Sequence, residues 1–210
     1  MNHIEILYEN NEILIINKPA HLAVQKGKGI NKSLIEILEK DLNKKIYPVH
    51  RLDMDTSGCL IIAKNKETAS KYSKLFFNNK IEKTYHAIIY GHFNSPFGVI
   101  YDDIKVKGKN KKAETYYKTI KKFAKYSLVE IKINTGRMHQ IRIHFNKINH
   151  PIVGDDKYGN FSLNREISKK FGIKNLMLYA KNITINKKIK GKAPLPIYFK
   201  NFLDIYNIAL

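Results

Sequence analysis

Residues 50–58 read His50-Arg51-Leu52-Asp53-Met54-Asp55-Thr56-Ser57-Gly58 and run directly into the apolar residues 59–63. The stretch combines one imidazole, one guanidinium, two carboxylates, two hydroxyls and a glycine. A solvated loop does not need so many specialised groups, whereas a site that holds a carboxylate at a fixed angle beside a guanidinium does. The stretch therefore predicts an enzyme site just before a buried strand.

The composition is that of a globular protein with a strongly cationic surface. The chain has 210 residues, of which 43% are hydrophobic, so it can bury an ordinary core in one fairly large domain or two small ones. Lys and Arg number 38 against 18 Asp and Glu, which gives a formal charge of +20. Such a surplus favours a polyanionic partner, most commonly nucleic acid. Compositional bias is the alternative, since Lys, Ile and Asn are abundant throughout the chain.

The sequence argues against a disulfide, a metal site, a signal peptide and a membrane-spanning segment. The single cysteine, Cys59, permits no internal disulfide and no cysteine-based zinc site, and we expect it to act as a small apolar strand residue. No acidic residue joins His139, His144 and His150 at a familiar metal-ligand spacing. Residues 1–8 do not resemble a signal peptide, and no apolar run reaches membrane-spanning length. We therefore expect a cytoplasmic protein without a bound metal and without a membrane partner.

Hydrophobic periodicity predicts an α+β fold. Alternating or apolar runs indicate strands at residues 4–8, 13–17, 60–63, 84–90 and 128–133. One helix is predicted to start at Ser33, where Glu36 completes a capping box, and another to span residues 66–77. Because strands and helices do not alternate regularly, we expect a mixed, mainly antiparallel β-sheet flanked by a few helices.

A second cluster of specialised groups reads Thr135-Gly136-Arg137-Met138-His139-Gln140-Ile141-Arg142-Ile143-His144. Apolar residues recur here at helical spacing, which predicts a short helix beginning just after Gly136, with Arg137 at its entrance. A strand is the alternative, since Ile141, Ile143 and Phe145 also alternate. The helix is the interpretation that we favour.

Three ordered segments resemble the RluA-type pseudouridine synthases: HRLDMDTSG at residues 50–58, TGRMHQIRIHF at 135–145 and HPIVGDDKYG at 150–159. Further similarities at residues 12–20, 82–87, 112–115 and 193–196 extend the resemblance over nearly the whole chain. Three positions depart from the family pattern. Ala20 stands where glycine is common, Met138 where a small hydroxyl residue is usual, and Tyr179 where the family usually has histidine.

The resemblance implies an isomerase that converts uridine within RNA into its carbon-linked isomer without cofactor or metal. Asp53 matches the motif aspartate, which would act as a nucleophile or stabilise charge on the sugar. Arg137 matches the arginine that pairs with this aspartate, and a guanidinium in contact favours the ionised carboxylate. Tyr85 matches the active-site tyrosine, whose ring would pack on the uracil and whose hydroxyl would assist proton removal.

Each of these roles has a structural alternative. Asp53 and Arg137 could form only a salt bridge, and Tyr85 could be an ordinary strand aromatic. We interpret Asp55 as a hydrogen-bond acceptor that shapes the loop rather than as a second catalytic carboxylate.

The remaining candidates would bind the substrate. Because the target base is stacked in its RNA, it has to be flipped out, and Arg51 could fill the vacated stack or hold neighbouring phosphates. His50 and Thr56 would fix the loop, while Leu52 and Ile141 would line the site or pack beneath it. The lysine-rich segment from residue 105 could also be only a solvated loop. Phosphate contacts are expected from Lys26, Lys28, Lys105, Lys107, Lys109, Lys111 and Lys112.

We expect a single catalytic domain over residues 1–210, without the family's optional N-terminal accessory domain. The expected function is that of a pseudouridine synthase on structured RNA, with ribosomal RNA favoured over transfer RNA and no obligatory protein partner. The alternative is a catalytically silent RNA-binding or ribosome-assembly protein on the same scaffold. The joint presence of Asp53, Tyr85 and Arg137 argues against silence, because a protein that only binds does not need all three.

Overall fold

The computed structural model describes residues 4–106 and 108–209, which form five helices and ten strands in two compact units. The first unit combines the described residues up to Lys83 with Ala180–Pro194, and the second combines Thr84–Tyr179 with the described residues from Leu195 onward. In chain order the elements are β1 (Ile6–Glu9), β2 (Ile13–Lys18), α1 (Leu34–Leu42), β3 (Tyr47–Pro48), β4 (Ser57–Ala63), α2 (Lys66–Phe77), β5 (Ile81–Tyr90), β6 (Phe97–Val106), β7 (Lys109–Phe123), β8 (Tyr126–Ile133), α3 (Gln140–Lys147), α4 (Phe161–Phe171), β9 (Leu178–Ile185), β10 (Ile189–Lys192) and α5 (Ile197–Ile205).

The sheet of the first unit is built around β2 and β4, which pair antiparallel from Ile13 opposite Ala63 to Lys18 opposite Gly58. β1 pairs with β2, β3 pairs with β4, and β10 pairs with β9, all antiparallel. Every residue of β4 is buried, as in a strand that is covered on both faces. The predicted strand at residues 60–63 is confirmed, but it begins earlier, so the last two residues of the 50–58 stretch belong to the strand itself.

Cys59 lies inside β4, and its thiol donates a hydrogen bond to the carbonyl oxygen of Lys181, with 3.4 Å between sulfur and oxygen. Burial raises the pKa of this thiol to about 11, so the sulfur stays protonated at neutral pH. The interpretation of Cys59 as a small apolar residue of a buried strand is confirmed.

Both helices that lie wholly in the first unit start where the sequence predicts. Ser33 caps α1 through the expected capping box: its N–H donates to the Glu36 side chain, and its hydroxyl oxygen accepts from the Glu36 N–H. α2 spans the predicted residues and begins at the side-chain cap of Asn65. The buried Tyr72 then donates its hydroxyl to the Glu12 carboxylate at 2.9 Å, which ties α2 to the residue before β2.

The second unit contains an antiparallel sheet in the order β5-β8-β7-β6. β5 and β8 confirm the strands predicted at residues 84–90 and 128–133, and both begin a little earlier than predicted. Their pairing runs from Thr84 opposite Lys132 to Tyr90 opposite Tyr126.

β6 and β7 form a long hairpin that the sequence analysis did not predict. The two strands pair from Phe97 opposite Lys118 to Val106 opposite Lys109. The described residues between positions 105 and 112 therefore lie at the end of this hairpin. The paired residues form strands rather than the loop that was considered, but their lysine side chains are exposed to solvent. Lys107, which was predicted to contact phosphate, lies outside the described residues.

The second cluster of specialised groups forms a helix, and the strand alternative is wrong. α3 begins at Gln140, later than predicted, because His139 adopts the left-handed backbone conformation with a φ of 55°. Arg137 consequently lies in the loop before the helix rather than in its first turn. The fully buried Phe145 packs against Tyr117 of β7, with ring centroids 6.1 Å apart, and this contact holds α3 on the sheet.

Tyr179, the tyrosine that departs from the family pattern, is a core residue. It is 3% exposed, and its ring meets the rings of His86 on β5 and Phe199 on α5 edge-on, at centroid distances of 5.7 and 5.1 Å. Tyr179 therefore takes part in the aromatic packing of the second unit.

The predicted fold class is confirmed: the strand pairs described above are antiparallel, and helices accompany both units. The single catalytic domain over residues 1–210 and the cytoplasmic location stay predictions. Across residues 4–106 and 108–209, none of the helices combines the length and the apolar character that crossing a membrane requires.

Gly58 is the position on β4 where a side chain should be least tolerated. Its φ is 105°, and an added Cβ would lie 2.2 Å from the carbonyl oxygen of Ala180. Gly58→Ala should therefore lower the free energy of unfolding by about 3 kcal/mol or more, because backbone strain and overpacking add. Gly29→Ala is the control, since Gly29 has a φ of 77° but no atom within 4 Å of the added Cβ. Equal losses for both variants in urea unfolding would contradict the proposed clash.

Candidate active site

Residues 53–56 form a tight turn that presents Asp53 immediately before β4. The backbone N–H of Thr56 donates to the Asp53 carbonyl oxygen at 3.2 Å. Asp53 is half-buried and Thr56 is buried, while Met54 between them is exposed. Because the turn continues directly into a buried strand, the backbone that carries the Asp53 carboxylate has little freedom.

The turn is anchored by Lys18, whose side chain is fully buried at the end of β2. Its ammonium group donates to three backbone carbonyl oxygens, those of Pro19 at 2.7 Å, Leu22 at 2.8 Å and Met54 at 2.9 Å. The N–H of Leu22 also donates to the Met54 carbonyl at 3.2 Å. The end of β2, the loop that follows it and the turn are therefore joined at one buried group.

Lys18 also places a basic group close to the two carboxylates of the turn. Burial lowers the pKa of the Lys18 ammonium to about 7, against the opposing attraction of Asp55 and Asp53. No role for Lys18 was predicted from the sequence. The available signal was a lysine that follows four apolar residues and Asn17 and stands directly before Pro19.

Asp55 takes part in a different contact. One of its carboxylate oxygens lies 2.9 Å from Nδ1 of His21, which has a positive φ of 59° in the loop after β2. This contact supports the interpretation of Asp55 as a residue that shapes the loop.

His50 anchors the beginning of the stretch. Its Nε2 accepts a hydrogen bond from the N–H of Ile61 at 3.0 Å, and its ring lies 4.4 Å from the ring of Phe76. Burial, and secondly the charge of Lys83, lower the pKa of His50 to about 3, so the imidazole is neutral at physiological pH. This geometry supports the loop-fixing role, and a contact between His50 and the substrate stays a prediction.

The other predicted residues of the stretch differ in exposure. Arg51 is exposed, whereas Leu52 and Thr56 are buried. Arg51 is therefore accessible to RNA, while Leu52 and Thr56 pack within the protein.

Tyr85 and Arg137 both adjoin β8 in the second unit. Tyr85 lies on β5 opposite Ile131 of β8 and is 7% exposed. Arg137 is exposed in the loop that connects β8 to α3. Ile141 is buried in the first turn of α3, which agrees with the packing role considered for it.

Gln140 connects the loop that carries Arg137 to the neighbouring strand. Its Oε1 accepts hydrogen bonds from the hydroxyl of Thr135 at 2.7 Å and from the backbone N–H of Arg137 at 3.1 Å. Its Nε2 donates to the carbonyl oxygen of Glu114 at 2.9 Å and to the hydroxyl of Thr115 at 3.2 Å. This function of Gln140 was not predicted from the sequence, although a glutamine on the buried face of the predicted helix was the signal.

Arg142 braces the other side of α3. It is buried and forms a bidentate pair with Asp155, with two nitrogen–oxygen distances of 2.8 Å, and it also reaches Asp156 at 3.1 Å. Burial raises the pKa of Asp155, but hydrogen bonds from Arg142 and from the backbone N–H of Tyr158 outweigh this effect and hold that pKa below its ordinary range. The Tyr158 hydroxyl lies 3.0 Å from Nδ1 of His139. The segment after α3 therefore supports both the helix and the residue that precedes it.

The predicted phosphate-binding lysines are spread over two segments. Lys28, Lys109 and Lys111 are exposed, and the Lys26 ammonium lies 2.6 Å from the Glu36 carboxylate. Phosphate contact by these side chains stays a prediction. Among the residues that the structure describes, no three His, Cys, Asp or Glu side chains are grouped as a metal site would require, and a reaction without metal also stays a prediction.

Comparisons with known proteins identify the family. The family model described as RNA pseudouridylate synthase matches residues 12–147. The ribosomal large subunit pseudouridine synthase C of Buchnera aphidicola subsp. Schizaphis graminum is 38% identical, in an alignment that covers 95% of this chain and 69% of that protein. The tRNA pseudouridine synthase C of Haemophilus ducreyi is 36% identical, with coverage of 85% and 83%.

A solved structure supports the fold independently. Human RNA pseudouridylate synthase domain containing 4 superposes with a TM-score of 0.82 at 24% identity, and the superposition covers 98% of this chain and 94% of that one. The resemblance found in the three sequence segments is confirmed by the family match and the curated relatives. This chain therefore belongs to the RNA pseudouridylate synthase family, of the RluA type that its motifs predicted.

Proposed function

We propose that this protein isomerises specific uridines of ribosomal RNA to pseudouridine, with Asp53 as the reacting carboxylate. Membership of the family supports the reaction class and an RNA substrate. A relative named for the large ribosomal subunit supports the ribosomal target, while another is named for transfer RNA. One observation carries the assignment of Asp53: its carboxylate stands on a tight turn that the buried ammonium group of Lys18 anchors.

The reaction places simple demands on such a carboxylate. The bond between uracil N1 and ribose C1′ breaks, the base turns, and a bond forms between C5 and C1′. The hydrogen on C5 leaves as a proton and N1 gains one, so no oxidant or reductant is consumed. An ionised carboxylate can add to the sugar and leave again, or stabilise positive charge on it. The ammonium group of Lys18 and the carboxylate of Asp53 attract each other.

Tyr85 and Arg137 complete the proposed chemistry, as their match to the family motifs implies. In this mechanism the Arg137 guanidinium pairs with the Asp53 carboxylate and keeps it ionised. The ring of Tyr85 packs on the uracil, and its hydroxyl assists removal of the C5 proton. Tyr85 lies on a strand that pairs with β8, and the backbone N–H of Arg137 is hydrogen-bonded to Gln140. These contacts fix the backbone positions from which both side chains extend, which supports the proposed roles.

RNA binding is proposed to use exposed cations around the turn and on the β6–β7 hairpin. Arg51 is the candidate to occupy the space that the flipped uridine vacates, because a planar guanidinium stacks on bases. Lys28, Lys109 and Lys111 are exposed, and each phosphate that they neutralise releases bound counterions. Affinity for RNA should therefore fall steeply with salt.

Asp53→Asn is the direct test of the proposed chemistry. We expect the release of tritium from C5-labelled uridine in ribosomal RNA to fall at least about a thousandfold, because the amide can neither add to the sugar nor balance its charge. RNA affinity should be retained. Asp55→Asn is the matched control, since it removes a neighbouring carboxylate that contacts His21, and it should keep most of the activity.

Pseudouridine mapping then tests the RNA target. In a strain that lacks the gene, the wild-type protein should restore pseudouridine in large-subunit ribosomal RNA, and the Asp53→Asn protein should not. Undiminished activity of Asp53→Asn would eliminate the proposed carboxylate. RNA binding by a wild-type protein that isomerises no uridine would instead favour a silent RNA-binding protein, and restoration only in transfer RNA would overturn the ribosomal target.

Gln140→Leu tests whether the loop that carries Arg137 must be held in place. Loss of four hydrogen bonds frees this loop from β7, and we expect kcat to fall by about ten- to a hundredfold through misplacement of Arg137. His144→Leu is the control on the same helix, because within the described residues neither buried ring nitrogen of His144 has a hydrogen-bond partner. Similar kcat values for the two variants, both folded by circular dichroism, would argue against this positioning role.

Replacing Lys109 and Lys111 by Ala tests the hairpin as an RNA contact. The slope of log Kd against log salt concentration should decrease by about one for each lysine that contacts phosphate. Lys187 and Lys188, at the turn between β9 and β10, offer a control with the same change of charge. An equal effect of both double variants would mean that the hairpin makes no special contribution to RNA binding.

A further inference from the structure

A groove beside α4 consists of residues that have no part in the proposed chemistry. Its volume is about 590 Å³, inside the range of about 300–1,000 Å³ that is usual for small-molecule sites. Its walls come from the first two turns of α4, from the residues on either side of Asp155, and from Ile173 and Lys174 after the helix. All of these residues belong to the second unit.

The groove has an apolar floor and an aromatic side chain. Ile167 and Ile173 are buried at its base. Phe161, the first residue of α4, is 54% exposed. The N–H of Leu163 is already bonded to the side chain of Asn160, so the helix end beside this ring is capped by the protein itself. An exposed ring next to an apolar floor offers stacking surface to a planar group.

The mouth of the groove is positively charged. Arg165 and Lys174 are exposed, and neither has an ion-pair partner within the described parts of the chain. Asp156, the acidic residue of the wall, is bonded to Arg142 at 3.1 Å. Glu166, next along α4, is paired with Lys125. The two unpaired cations therefore favour an anionic ligand, and the floor favours one with a flat apolar body; a nucleotide has both properties.

One wall of the groove belongs to the segment that holds α3 and the loop of Arg137 in place. Gly154 and Asp156 line it, and Asp155 between them holds Arg142 of α3 in the bidentate pair. Farther along the same segment, Tyr158 contacts His139, which lies two residues after Arg137. The same short segment thus forms a wall of the groove and braces the loop that is proposed to face the substrate.

We propose that this groove binds a second, unpaired nucleotide of the substrate RNA, distinct from the uridine that reacts. Its base stacks on Phe161 above the apolar floor, and its phosphate is held by Arg165 and Lys174. The inference rests on the proposed function, since it assumes that RNA is the substrate. The groove would then contribute to the choice of target, because an RNA that can present an unpaired nucleotide here binds more tightly than a continuous duplex.

Two variants test the proposal in the full-length protein: Phe161→Leu, which keeps an apolar side chain but removes the ring, and the double variant Arg165→Ala with Lys174→Ala. The probes are in vitro transcribed large-subunit ribosomal RNA and, separately, bulk transfer RNA. Each variant should raise the Kd, and with it the KM, by about tenfold on the RNA that the wild-type protein modifies. The control carries Lys169→Ala and Lys170→Ala, which remove two exposed cations of the same helix outside the groove, and its Kd should stay within about twofold of wild type.

A photo-crosslinking residue at position 161 identifies the occupant directly. A crosslink to one RNA nucleotide other than the reacting uridine supports the proposal. Unchanged Kd values for both groove variants, an equal loss in the Lys169 and Lys170 control, or a crosslink only to protein overturns it. These outcomes differ from a failure of the proposed function, in which the wild-type protein releases no tritium from either RNA, because Kd and crosslinking are measured without turnover.

Discussion

A single buried ammonium group holds together the part of the structure on which the proposed chemistry depends. Lys18 has three N–H donors, and all three meet backbone carbonyl oxygens, one of them in the turn that follows Asp53. Hydrogen bonds to charged groups contribute about 1.5–3 kcal/mol each, whereas a buried ammonium group without partners is strongly unfavourable. The turn and the loop after β2 therefore cannot move apart without exposing Lys18 or leaving it unsatisfied. This requirement fixes the backbone position of Asp53, although Asp53 lies outside regular secondary structure.

In the second unit, a neutral glutamine and a buried ion pair hold the corresponding loops in place. Gln140 makes four hydrogen bonds that tie the loop before α3 to β7, and the Arg142–Asp155 pair fixes the segment that follows the helix. Breaking a buried ion pair by removing one partner typically costs about 3–5 kcal/mol, so the Arg142–Asp155 pair constrains this segment strongly. In both units the residues proposed for chemistry lie on loops, and buried polar side chains from neighbouring elements hold those loops. The precision of the loops thus comes from buried polar groups that do not themselves react.

Elements that local interactions determine could be predicted from the sequence, whereas elements that depend on distant contacts could not. The capping box at Ser33 and the span of α2 were predicted correctly because local hydrogen bonds and one apolar face determine them. The β6–β7 hairpin was missed because its end is rich in lysine, and strand pairing between Phe97 and Lys118 or Val106 and Lys109 leaves no local pattern. The later start of α3 depends on one left-handed residue, and the roles of Lys18 and Gln140 depend on acceptors distant in sequence. The motif residues could be predicted from the sequence, whereas the buried side chains that hold their loops in place, Lys18 and Gln140, could not.

The burial of Cys59 has a practical consequence. Because its thiol is enclosed in β4 and has a pKa of about 11, maleimides and similar reagents will not modify it in the folded protein at neutral pH. A cysteine engineered at any exposed position will then be the sole reactive thiol of the molecule. Fluorophores or spin labels can be attached singly or in pairs without first removing the native residue. Spectroscopic distances between the two compact units are therefore directly accessible, both in the free protein and with RNA bound.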